Sequence, residues 1–174
     1  MHIQHRHGQM QHMKAAYEKY SGGTGGLELV RAKELLSFAV RFHGHLGPFL
    51  VLGLRAGLTA RRLIGAPSSV EVCVFPRPPL SCVIDGVQVS SGCTLGNGRL
   101  TVNPTDDKLK VKLVFRSEKG AVMVSLVRDV VESLLSKMPA KKEELEEYAM
   151  SLLGEDEQCL FLIEMRKDLG TSCS

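Results

Sequence analysis

The sequence predicts an α+β fold, with helices before and after a mixed sheet that includes an antiparallel part. Three observations lead there. Leu35, Phe38, Ala39 and Phe42 fall at helical spacing, followed by a second apolar stretch that opens with Gly47-Pro48. Leu109, Val111, Leu113 and Phe115 alternate with Lys110, Lys112 and Val114, and Ser117-Glu118-Lys119-Gly120 turns that strand back into Ala121 to Val127 as an antiparallel hairpin. Helical patterning then returns after the hairpin, over 128–137 and again from Pro139. No repeat period is visible, and 174 residues suit one domain with a short extension.

The elements follow in order. Residues 1–26 read as a flexible extension: His2, His5, His7 and His12 lie among Gln and Met, residues 14–20 suit two helical turns, and Ser21 to Gly26 reads as a linker. Met10 and Met13 are alternative starts. The domain itself is expected over 27–167, with 168–174 as a tail. Its first helix spans Leu27 to Phe42, with Leu35, Phe38, Ala39 and Phe42 inward and Arg31, Glu34 and Arg41 in water. Pro48 suits the first turn of a helix to Ile64, since its missing N–H would be unpaired there anyway. Gly53, Ala56, Gly57 and Ala60 form a stripe of small residues on that helix, so a neighbouring backbone is expected close by. Val70 to Phe75 is a strand, and Pro76, Pro78 and Pro79 force an irregular connection. Ser81 is placed to cap a helix from Cys82 to Ser91 that Gly92 closes. Asn97-Gly98 turns into a strand over Arg99 to Val102, and Cys159 to Met165 is a final strand.

Composition narrows the function. Hydrophobic residues are 44%, charged ones 24%, aromatic ones 5%, with no Trp, so the core is aliphatic. A net charge of +3 is too small to argue for nucleic acid. The apolar runs are too short for a bilayer, and no signal-peptide core follows the N-terminal His and Lys residues. Five cysteines without framework spacing point to a reducing compartment, and the cytoplasm is the expected location. Gly96-Asn97-Gly98 lacks the lysine and spacing of a phosphate loop, so no nucleotide motif is present. No Gly-x-Ser-x-Gly or Cys-x-x-Cys motif occurs either. Arg55, Arg61, Arg62 and Arg77 read as a solvated helix flank rather than an anion site.

The chemistry centres on His43 and His45. In a helix these two would point about 200° apart, but in a loop or extended segment i and i+2 face the same way. Gly44 between them and Gly47-Pro48 behind them favour the loop, where both imidazoles can converge on a transition metal, although on spacing alone His-x-His is more often an ordinary pair of helix-end polar residues. Further ligands must come from elsewhere, and Cys82 and Cys93 are the best donors. Cys82 would sit at the first position of its helix, where the positive end lowers a thiol pKa. Asp85, one turn on, can ligate or orient a histidine. Taken singly, each thiol is more simply a small buried hydrophobe. Cys73, Cys159 and Cys173 read as structural or incidental.

Two runs add to this. Phe42-His-Gly-His-Leu-Gly-Pro-Phe-Leu-Val-Leu-Gly-Leu-Arg55 resembles a signature of the formylmethanofuran dehydrogenase FmdE family, close to Phe-His-Gly-His-x-Cys-Pro-Gly-x-x-x-Gly-x-Arg. Cys82-Val-Ile-Asp-Gly-Val-Gln-Val-Ser-Ser-Gly-Cys-Thr-Leu-Gly-Asn-Gly98 is similar to that family's second signature, Cys-x-x-Asp-x-Ile-Gln-x-x-x-Gly-Cys-Thr-x-Gly. The resemblance implies a fold like the catalytic domain of glyceraldehyde-phosphate dehydrogenase, a homodimer, and a metal-associated cleft carrying His43, His45, Cys82 and Cys93. It also implies association with a molybdenum or tungsten enzyme of one-carbon metabolism, although many members stand alone. Two positions depart from the pattern: Gly47 stands where the signature has cysteine, and Phe49 where it has glycine. The tail holds only Cys173, so the cysteine-rich zinc finger of some members cannot form.

Three functions are therefore expected in turn. The first is a metal-binding protein, zinc before iron or nickel, with His43, His45, Cys82 and either Cys93 or water around the ion and room for Lewis-acid chemistry on a small ligand. The second is a non-catalytic accessory subunit or binding module that has lost the metal along with the cysteine at position 47. The third is a metal-free thiol enzyme using Cys82, with Asp85 as its neighbour.

Overall fold

A computed structural model of the chain describes residues 26–166. The helical turns expected over 14–20, the linker up to Gly25 and the tail beyond 167 lie outside the described residues. The elements run α1 (Gly26–His43), α2 (Pro48–Ile64), β1 (Ser69–Val74), α3 (Cys82–Ser91), β2 (Leu100–Pro104), β3 (Lys112–Ser117), β4 (Gly120–Leu126), α4 (Arg128–Ser136), α5 (Lys142–Gly154), α6 (Glu157–Leu160) and β5 (Phe161–Arg166). The sheet order is β2-β1-β3-β4-β5. Only β1 and β2 are parallel; β3, β4 and β5 join antiparallel. The fold is α+β with a mixed five-stranded sheet, as the sequence predicts.

The one parallel pair explains why α3 exists. Parallel neighbours need a crossover, and here the chain leaves β1, passes through α3 and returns as β2. Val70, Val72 and Val74 of β1 and Leu113 and Phe115 of β3 point to the helical side, and all are buried. Twelve of the seventeen residues of α2 are buried against this layer and its neighbouring helices.

The small-residue stripe of α2 does what its spacing suggests. A Cβ at Gly53 would run into the Val83 carbonyl, and one at Gly86 into the Leu50 carbonyl and the Leu54 amide. The two backbones therefore touch without side chains between them. Gly53 faces Val83 while Gly57 faces Ser90, so the sequence advances the same way along both helices. α2 and α3 are parallel, with both N-termini at one end of the molecule.

The structure revises several details. The inward face of α1 is Leu36 and Ala39, both buried, whereas Phe38 and Phe42 are 52% and 55% exposed and stack on each other. The helix is thus turned by about one residue from the face its apolar spacing suggests, because burying 36, 39 and 43 on one stripe packs it on α2 and α3. β3 begins at Lys112 rather than 109, because the Asp107 side chain and carbonyl accept the Leu109 and Lys110 N–H groups and hold a turn there. α5 starts at Lys142, not Pro139, with Glu143 and Glu144 in its positive first turn. Asp156 accepts the Gln158 N–H and opens the short α6, so β5 begins at Phe161. Ser81 makes no side-chain cap to α3; the Cys82 and Val83 N–H groups bond instead to the Pro79 and Leu80 carbonyls.

Candidate metal centre

His43 is the last residue of α1. The Gly44 N–H closes the helix on the Val40 carbonyl at 2.8 Å, and Gly44 takes φ 98°, which any side chain would resist. The chain therefore reverses at once, Leu46 is buried as an anchor, and α2 begins at Pro48. This tight passage brings the two imidazoles together, with ring centroids 4.5 Å apart and a 39° tilt. The expected convergence of His43 and His45 is present.

Cys82 opens α3 at the same end, because α3 runs parallel to α2. One nitrogen from each histidine and the Cys82 sulfur all lie within 4.8 Å of one another. That is the scale bridged by metal–nitrogen and metal–sulfur bonds of about 2.0–2.3 Å.

A chain of hydrogen bonds fixes His43. The Leu95 N–H donates to Gln88 Oε1 at 3.0 Å, which turns the Gln88 amide so that Nε2 donates to Asp85 Oδ1 at 3.1 Å. Asp85 Oδ2 lies 2.7 Å from His43 Nδ1. A carboxylate only accepts, so Nδ1 carries a proton, and in the neutral ring Nε2 keeps its lone pair. That Nε2 is buried and has no hydrogen-bond partner, in a side chain only 11% exposed. Buried polar atoms almost always find a partner, so a buried imidazole nitrogen left without one, in a residue grouped with His45 and Cys82, is what a transition metal would satisfy. Asp85 faces the histidine rather than joining the three-donor group.

The protonation states suit the same conclusion. Desolvation first, and then the neighbouring His43 ring, which disfavours a second positive charge beside it, push the His45 imidazole below its ordinary 6.5, with Glu146 opposing and Lys142 assisting. His45 is therefore neutral, and able to ligate, at pH 7. Cys82 departs from expectation. Burial pushes its thiol above its ordinary 9.0, the Asp85 charge adds to that, and a backbone hydrogen bond only partly offsets both. A nearby cation would reverse this, since a coordinating thiol is deprotonated outright.

Cys93 is not in the three-donor group. It lies beyond the far end of the ten-residue α3, roughly 15 Å along the axis from Cys82 at 1.5 Å per residue. Its buried sulfur sits 3.5 Å from the Pro67 carbonyl, and burial raises its pKa too. The arginines serve as struts: Arg55 donates to the Leu152 carbonyl, Arg61 to the Ser91 carbonyl, and Arg62 pairs with Glu157. Gln88 is the residue that sequence reasoning passed over, although it stands one turn after Asp85 inside the second run. Lys142 and Glu146, whose charges reach His45, come from α5 about a hundred residues away and left no local signal.

Comparison with known proteins gives the family. The model of FmdE, described as molybdenum formylmethanofuran dehydrogenase operon, matches residues 42–170. The chain belongs to the FmdE family. Its match to a probable S-adenosyl-L-methionine-binding protein of Archaeoglobus fulgidus is 42% identical over 77 residues, covering 41% of this chain and 19% of that one. The crystal structure of a tungsten formylmethanofuran dehydrogenase FmdE-like protein from Syntrophus aciditrophicus superposes with a TM-score of 0.51 at 19% identity, over 79% of this chain and 73% of that chain. Membership therefore rests on the family model, and the crystal structure adds agreement of fold. No helix among the described residues is long and apolar enough to cross a membrane.

Proposed function

We propose that this FmdE-family protein binds one divalent transition metal, zinc in the first instance, through His43 Nε2, His45 and Cys82. Asp85 and Gln88 position His43 and are not themselves ligands. The observation that carries the reading is the buried, unpartnered His43 Nε2 beside two further donors. A bound ion there would supply Lewis-acid chemistry to a small ligand. Cys93 serves packing in this reading, and the reducing cytoplasm is where the Cys82 thiol would be kept free for metal.

The test uses the full chain with His2, His5, His7 and His12 replaced by Gln, so that the N-terminal tract cannot hold metal. One equivalent of metal after dialysis is expected, lost in His43→Ala and in Cys82→Ala. Stoichiometric metal that survives both replacements would refute the assignment.

The thiol-enzyme reading has less support, because burial and Asp85 both hold Cys82 protonated. A homodimer, and docking to a molybdenum or tungsten formylmethanofuran dehydrogenase, are what the family suggests for partners. Light scattering of the purified chain decides the first: a mass of twice 19.1 kDa is expected.

A further inference from the structure

We infer that Gly47 leaves one position of the metal centre to a small anion from solution, so that residue 47 decides whether the centre is open or closed. This rests on the reading of His43, His45 and Cys82 as ligands. Gly47 is buried at the N-cap of α2 in extended backbone, φ −147° and ψ 158°, a conformation any residue adopts and one that suits the position before a proline. A Cβ built there would lie 3.5 Å from His45 Nε2 and 3.6 Å from its Cδ2, and among the described residues, its chain neighbours aside, would meet no other atom within 4 Å. A side chain at 47 would thus begin in ordinary van der Waals contact with the ring nitrogen of one donor. Among the described residues three donors come together, and a zinc-like ion takes four or five.

The electrostatics of that position favour an anion. A divalent ion with one thiolate keeps a positive charge. The Asp85 charge, which reaches Cys82, is partly taken up by its contacts with His43 Nδ1 and the Gln88 amide. α2 and α3 both present their positive N-termini at this end, seventeen and ten residues long. The other charges reaching His45, Lys142 and Glu146, are of opposite sign and pair with each other at 3.8 Å. The occupant this describes is small, singly charged and able to donate to a metal, the class of hydroxide, azide or a low-molecular-weight thiolate.

The experiment loads the full chain, again with its four N-terminal histidines replaced by Gln, with Co2+ and titrates azide against the visible spectrum. A saturable shift is expected at one Co2+ per chain. Gly47→Cys needs no backbone adjustment; it should add sulfur-to-cobalt absorption in the near ultraviolet and lose the azide response. Gly47→Ala, which fills the same contact without a donor atom, should keep the response. One Co2+ per chain with no azide response in the parent, or an undiminished response in Gly47→Cys, would overturn the inference while leaving the ligand assignment standing. Failure of the parent to hold Co2+ would overturn the ligand assignment itself, and the inference with it.

Discussion

Cys82 and Cys93 flank the same helix, and burial raises the pKa of both, yet their surroundings differ in kind. Around Cys82 are two imidazoles, one of them with an unpartnered nitrogen, and a carboxylate held by a glutamine. Around Cys93 are the Pro67 carbonyl and the Ser91 hydroxyl, which receives the Cys93 N–H at 3.0 Å. A buried thiol is by itself uninformative. What separates a donor from a packing residue is whether neighbouring polar atoms are already satisfied.

Four measurements would break or sharpen that contrast. The largest effect is expected from Cys82→Ala, which should abolish stoichiometric metal binding while the metal-free protein stays folded. If Cys93→Ala does the same, the contrast is wrong. Asp85→Asn should come next, weakening metal binding about 10–100-fold, as loss of a partner behind a ligating histidine does. Competition with a chromophoric chelator would measure it, and an unchanged affinity would mean that the Asp85 contact does not set the His43 tautomer.

Cys93→Ala should leave metal affinity alone and cost about 1 kcal/mol of stability, the scale of removing one buried heavy atom, read by urea unfolding. The smallest effect concerns pH. A thiol whose folded pKa is raised contributes stability that is present below the ordinary 9.0 and lost as pH rises beyond it. Metal-free protein should therefore lose stability above pH 9, and its Cys82 should alkylate sluggishly at pH 7. Rapid labelling of Cys82 at pH 7 would instead revive the thiol-enzyme reading.

Much of this was legible in the residues because it depends on local chemistry. Gly44 and Gly47-Pro48 dictate a break after α1, so His45 turns back beside His43 at the helix end. Pro48 and Gly65 bracket α2, and the Gly92 amide closes α3 on the Gln88 carbonyl. The orientation of α1 was not legible, since Leu35, Phe38 and Phe42 make as good an apolar face as Leu36 and Ala39 until a partner is known. Turning the helix the other way is what brings His43 to Asp85. Cys82 and Cys93 share one motif in sequence, but a helix between them carries them apart. That separation follows from helical rise alone once the helix is recognised. The contribution of α5 to the surroundings of His45 depends on long-range docking, which periodicity does not encode.

The backbone contact between Gly53 and Gly86 has one more consequence. Where two helices meet through side chains, their separation can drift as rotamers change. Here main chain rests on main chain, which leaves little slack. The distance between the histidine loop and Cys82 is thus gauged by the peptide skeleton and not by the groups that do the chemistry. On the proposed ligand assignment, residues 43, 45, 47 or 82 could be exchanged while the gauge holds still.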